Sequence, residues 1–122
     1  MTDEMIALGR RALACKGWRW MRGMTSMEGG TFIAYTDCDE AFWLMHPDDG
    51  CDAEPVAWRL PDLSDPATLG CLLALVRKAW GDSKTCARPD LEDDVWYVVT
   101  RSGLAFAASE AEALVAALER AP

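Results

Sequence analysis

The stretch from Leu60 to Gly81 constrains the fold more than any other, because it is written as one complete helix. Asp65 stands where an N-cap accepts backbone N–H bonds. Pro66 follows at the first helical position, where its fixed φ helps and its missing N–H costs nothing. Leu69, Leu72, Leu73, Val76 and Trp80 fall on a single stripe at 3.6-residue spacing. Arg77 and Lys78 occupy the last turn, where positive charge suits the helix dipole, and Gly81 suits the C′ position. A helix with one apolar stripe must bury it against another layer, so the chain is a globular domain with at least one core helix.

The remaining elements are read around this one. Asp3 caps a first helix whose apolar residues Met5, Ile6, Leu8, Ala12, Leu13 and Cys15 share one broad face, with Gly17 at its end. Trp18 to Met21 alternates like a strand, Glu28-Gly29-Gly30 is a turn, and Thr31 to Tyr35 is a β-branched and aromatic strand. Asp37 to Glu40 caps a short helical turn over Ala41 to Met45, which stops before Pro47. His46 to Pro55 is an acidic loop and Val56 to Leu60 a third strand. After the strong helix, Asp82 to Asp94 reads as a loop. Val95 to Thr100 and Leu104 to Ala108 then pair across a three-residue Arg101-Ser102-Gly103 turn. Ser109 and Glu112 form a capping box for a last helix with the stripe Ala111, Leu114, Val115 and Leu118. The expected fold is α+β, a single layered domain over residues 1–122. Its sheet is mostly antiparallel and packed by about three helices in the order α-β-β-β-α-β-β-α. Small residues on the second faces of the two strong helices (Ala67, Gly70, Cys71 and Ala74; Ala113, Ala116 and Ala117) suit close helix contact or simply reflect helix propensity.

Charge limits the function. The chain carries a formal net charge of −8, and the excess sits in its middle third. Residues 37–65 hold Asp37, Asp39, Glu40, Asp48, Asp49, Asp52, Glu54, Asp62 and Asp65 against Arg59 alone. A phosphate-binding surface needs clustered Lys and Arg, so direct nucleic-acid binding and attachment to anionic membranes are not expected. No apolar run approaches the roughly 20 residues of a membrane-spanning helix. The N-terminus is acidic where a secretory leader is basic, and Cys15, Cys38, Cys51, Cys71 and Cys86 contain no C-x-x-C pair. Reduced thiols in a cytosolic compartment are therefore expected.

Sites for chemistry are sparse. His46 is the only histidine, and no nucleophile elbow or phosphate-cradling glycine loop accompanies it, so no catalytic residue is expected. Cys38, His46 and Cys51 are spaced C-x7-H-x4-C, outside the usual zinc patterns, and Asp48 to Glu54 lacks the register of a calcium loop. No metal or cofactor is assigned, although metal binding by Cys38, His46 and Cys51 stays open. Two binding surfaces stand out. Asp37, Asp39, Glu40, Asp48, Asp49, Asp52 and Glu54 with Trp43 suit a basic partner, the carboxylates steering the encounter and the aromatic ring holding it. Arg19, Arg22 and Arg59 with Trp18 and Trp20 suit the alternative, a nucleotide-like small ligand with phosphates on arginines and a base on indole.

The segments WRLPDLSDPATLGCLLALVRKAWG and SEAEALVAALERAP, with Gly17 to Met21 and Ile33 to Thr36, resemble small phage and prophage proteins of the phage ABA-sandwich type. The resemblance rests on caps and core positions, so it carries over no functional residue. It implies a phage accessory role in the bacterial host cytoplasm, in defence evasion or virion assembly. By analogy of general character, it points toward anti-defence inhibitors such as anti-CRISPR proteins. The expected function is thus non-enzymatic binding of a host protein or protein complex through an acidic surface. Sequestration of a nucleotide-like signal is the alternative, and homo-oligomer formation stays open.

Overall fold

The computed structural model of the chain describes residues 2–21, 23–27, 31–36, 41–45, 53–55 and 60–122, the stretches 31–36, 41–45 and 53–55 through their backbone. Among the described residues the elements run α1 (Asp3–Ala14), β1 (Thr31–Thr36), β2 (Ala41–Met45), β3 (Ala53–Pro55), α2 (Pro66–Trp80), β4 (Ala87–Asp90), β5 (Val95–Thr100), β6 (Gly103–Ala107) and α3 (Glu110–Glu119). The fold is α+β with antiparallel pairing, as expected, and one strand more than expected precedes the last helix. The strands form two three-stranded sheets, β1-β2-β3 and β4-β5-β6, each a meander. The chain divides into two compact units, Met1–Gly9 with Trp20–Cys71, and Arg10–Arg19 with Leu72–Pro122.

In the first unit the start of α2 is tied to the segment before the first sheet. Asp65 Oδ2 accepts from Thr68 N at 2.9 Å and from Thr68 Oγ1 at 3.0 Å, the cap the sequence announces. Thr68 is fully buried. Its hydroxyl also accepts from Thr25 N at 3.0 Å and lies 3.3 Å from Thr25 Oγ1. Around this knot, Met27 N donates to Leu60 O and Asp62 N to Thr25 O, so residues 25–27 and 60–62 run as a short antiparallel bridge. Gly9 lies against Leu60 and Pro61. Strand β2 is central in the first sheet, with Thr36 opposite Ala41 at one end and Met45 opposite Ala53 at the other.

In the second unit α3 lies across β4, β5 and β6. Val98 and Ala105 on the covered sheet face are buried, as are Ala113, Leu114, Val115, Ala117 and Leu118 on the helix. The end of α2 packs on α3: Trp80 Nε1 donates to Ala117 O at 2.8 Å. That indole satisfies one of the carbonyls that a helix C-terminus leaves without an intrahelical partner. A β-carbon at Gly17 would stand 2.9 Å from Leu118 Cδ1, so the glycine serves a close approach. Gly81 has φ +63°, with Asp82 N bonded to Arg77 O and Gly81 N to Lys78 O, the Schellman pattern. Ser109 Oγ caps α3 by accepting from Glu112 N. At the sheet edges, β4 contains Pro89, and Arg120 Nη1 donates to Leu104 O of β6 at 3.1 Å.

Several expectations are corrected. Thr2, not Asp3, caps α1, since Met5 N bonds Thr2 Oγ1; the hydroxyl one residue earlier reaches the same donor. Trp18 to Met21 is not a strand: Trp18 N turns back to Cys15 O, and the indole goes into the core. Ala41 to Met45 is strand β2 and not a helical turn, because pairing on both sides decides a short apolar run that suits either state. Strand β3 is Ala53–Pro55, within the expected loop, and Leu60 lies outside any strand. The loop expected at Asp82 to Asp94 contains β4, whose proline is tolerated at an edge. Thr100 pairs with Gly103, so the last hairpin loop is Arg101-Ser102, and Gly103 carries the positive φ, +126°. The Glu28-Gly29-Gly30 turn, the Asp37 to Glu40 cap and Val56 to Arg59 lie outside the described residues.

Candidate partner-binding surfaces

Asp62 and Asp65 are local caps: Asp62 Oδ1 accepts from Ser64 N and Oγ, and Asp65 holds the first turn of α2. Asp37, Asp39, Glu40, Asp48, Asp49 and Asp52 lie outside the described residues. Glu54 sits in β3 opposite Leu44, and Trp43 in β2 opposite Ala34 and Pro55. The strand ends still bound where the acids leave the sheet. Residues 37–40 join Thr36 to Ala41 at one end of β2, and residues 46–52 join Met45 to Ala53 at the other. With roughly 3.3 Å per strand residue, the two departure points are about 13 Å apart.

The residues named for a nucleotide-like ligand do not converge on an open site among those described. Trp18 is buried, 7% exposed, and offers no ring face to a base. Trp20 is half-buried, and the exposed Arg19 turns its Nη1 onto Trp18 O at 2.9 Å. Arg22 and Arg59 lie outside the described residues, as do Cys38, His46 and Cys51. Among the described residues no group of three or more His, Cys, Asp or Glu side chains is arranged to hold a metal ion.

A cleft of about 570 Å³ between the end of α1 and the end of α3 is lined by Arg11, Cys15, Lys16, Leu118 and Glu119, among others. Arg11 forks onto Glu119, Nη2 to Oε1 at 2.6 Å and Nε to Oε2 at 3.2 Å, and lies 3.9 Å from Glu112. The Glu119 bond holds the guanidinium more firmly protonated than usual. Burial, with Glu119 beside it, pushes the Cys15 thiol up from its ordinary range, against the lesser pull of Arg11. A thiol shifted that way is not an activated nucleophile. Its Sγ, just past the end of α1, donates to Arg11 O at 3.3 Å.

No family model, no curated protein and no solved structure matches the chain.

One surface that the sequence reading missed is the face of β4-β5-β6 turned away from α3. The register places Arg88, Tyr97 and Phe106 in one row and Val99 with Leu104 in the next. Leu104, Val99 and Phe106 are 45%, 48% and 56% exposed, and Leu91 in the β4–β5 turn is 92% exposed. The Tyr97 and Phe106 rings stand 6.0 Å apart, tilted by 44°. Between them and the turn lies a recess of about 550 Å³ lined by Pro89, Asp90, Leu91, Glu92, Tyr97, Leu104 and Phe106. Asp90 Oδ1 accepts from Glu92 N at 3.0 Å and orders the turn. The signal was present in the chain: Val95 to Val99 is apolar at every position, the pattern of a strand covered on both faces, whereas α3 covers only one.

Proposed function

We propose that this chain is a non-enzymatic phage or prophage accessory protein that binds a host protein or protein complex through the carboxylates of its middle third, in the manner of an anti-defence inhibitor. The observation that carries the reading is the stretch from Asp37 to Glu54, which holds seven carboxylates and no lysine or arginine. A surface of that kind occupies a basic groove built for nucleic acid, with charge accelerating the encounter. The acidic stretches leave the first sheet at opposite ends of β2, about 13 Å apart, a spacing that suits an extended groove more than a point site. The resemblance to phage proteins supplies the host setting.

Affinity purification from the bacterial host, with the chain as bait at low and at moderate salt, tests this. A defined complex should be retained at low salt and lost steeply as salt rises. Two charge reversals, Asp37/Asp39/Glu40→Lys and Asp48/Asp49/Asp52→Lys, should each weaken recovery. Unchanged recovery by both variants would remove the electrostatic basis of the proposal.

A further inference from the structure

The outer face of β4-β5-β6 lies on a different part of the sequence from the acidic middle third, and its chemistry is of another kind. It joins exposed apolar side chains to an acidic stretch, Asp90, Glu92, Asp93 and Asp94, of which Asp90 and Glu92 line the recess. Among the described residues none of these four carboxylates is in an ion pair; the one cation in the same row, Arg88 beside Tyr97, turns its Nε onto Cys86 Sγ at 3.3 Å, and the four acids outnumber it. We propose that the recess is a docking site for an arginine side chain that a partner protein presents between apolar residues.

Each part of the site matches one part of that occupant. A guanidinium stacks on an aromatic face while its N–H fork bonds a carboxylate, and it desolvates more readily than an ammonium. Tyr97 and Phe106 supply the aromatic platform, and Asp90 and Glu92 supply carboxylates on the wall of the same recess. Leu91, Val99 and Leu104 remain for the apolar neighbours of the arginine. Exposed apolar patches rimmed by polar groups mark interaction surfaces in soluble proteins. Other occupants fit less well. A second copy of the chain would double the negative charge at the interface, and an anionic lipid surface would be repelled. A purely apolar ligand would leave the carboxylates desolvated beside it.

The test is a nuclear magnetic resonance titration of the full chain with a blocked pentapeptide that carries a central arginine flanked by leucines. The same peptide with citrulline in place of arginine keeps the shape and loses the charge. Shifts should concentrate on residues 90–92, 97 and 104–106, and the citrulline peptide should bind about fivefold more weakly or worse. Phe106→Ala and Glu92→Gln alter exposed side chains, so the fold should persist, as circular dichroism would report, while affinity for the arginine peptide drops several-fold. Equal affinity for the two peptides, shifts centred elsewhere, or no binding would overturn the proposal. So would a self-associating chain, seen in sedimentation, that Phe106→Lys converts to monomer, since a second copy would then own the face. The Asp37 and Asp48 group reversals change none of the residues of this face, so the two proposals are tested by different variants.

Discussion

Replacing either of two buried threonines by valine should change stability in opposite directions. The substitution is nearly isosteric, so the difference isolates the hydroxyl. Thr68 Oγ1 donates to Asp65, accepts from Thr25 N and touches Thr25 Oγ1, which uses its full bonding capacity inside a residue with no exposed surface. Thr68→Val removes these contacts and leaves the Thr25 N–H without its acceptor, for a loss of about 2–3 kcal/mol. Thr85 is also buried, 2% exposed, but its Oγ1 has no hydrogen-bond partner among the described residues. Thr85→Val removes a desolvated hydroxyl that gains nothing from folding, for a stabilisation of about 1 kcal/mol. For a chain of this size each kcal/mol moves the melting temperature by roughly 3–4 °C. Calorimetry should therefore show about 9 °C of loss for the first variant and about 3 °C of gain for the second. Shifts of the same sign in both variants would refute the bond-by-bond reasoning, because burial is nearly equal at the two sites.

Other outcomes follow from the same structure. Trp80→Phe should cost about 2–4 kcal/mol in urea unfolding, since it removes the donor to Ala117 O as well as part of a buried ring. An isosteric tryptophan analogue without the N–H should lose only the hydrogen-bond share of that. Burial, with Glu119 and Asp65 respectively beside them, raises the thiols of Cys15 and Cys71. The unfolded chain then releases these protons first, so their contribution is complete below the ordinary thiol pKa and fades as pH rises through the folded values. The urea midpoint should fall as pH rises past the ordinary thiol pKa, and Cys15→Ala with Cys71→Ala should flatten that decline.

Helices were legible where local bonds define them. Asp65, Gly81 and Ser109 each act within a turn of their own position, and each acts as its residue type and place announce. Strands were legible where β-branched and aromatic residues cluster, as in β1 and β5, and β6 followed from the turn that pairs it with β5. Strand β4 was hidden because Arg88, Pro89 and Asp90 are poor strand formers whose extended state is imposed by pairing with β5. Strand β2 was misread for the converse reason, an apolar run too short to reveal its period. For the candidate surfaces, net charge was plain in the composition. The points at which the chain leaves β2 for its acidic stretches were not, because they depend on Ala41 pairing with Thr36 and Met45 with Ala53. Nor could the chain alone say that α3 would cover one face of β5 and leave Tyr97, Leu104 and Phe106 on the other.

Both borders of the second sheet are guarded. Pro89 offers no N–H along β4, and the Arg120 guanidinium occupies a carbonyl of β6. Neighbouring molecules thus find no uninterrupted ladder of donors and acceptors on which to add a strand, which discourages fibre-like growth in concentrated solution. Association through this sheet is left to its broad side, where side chains select the partner and the main chain does not.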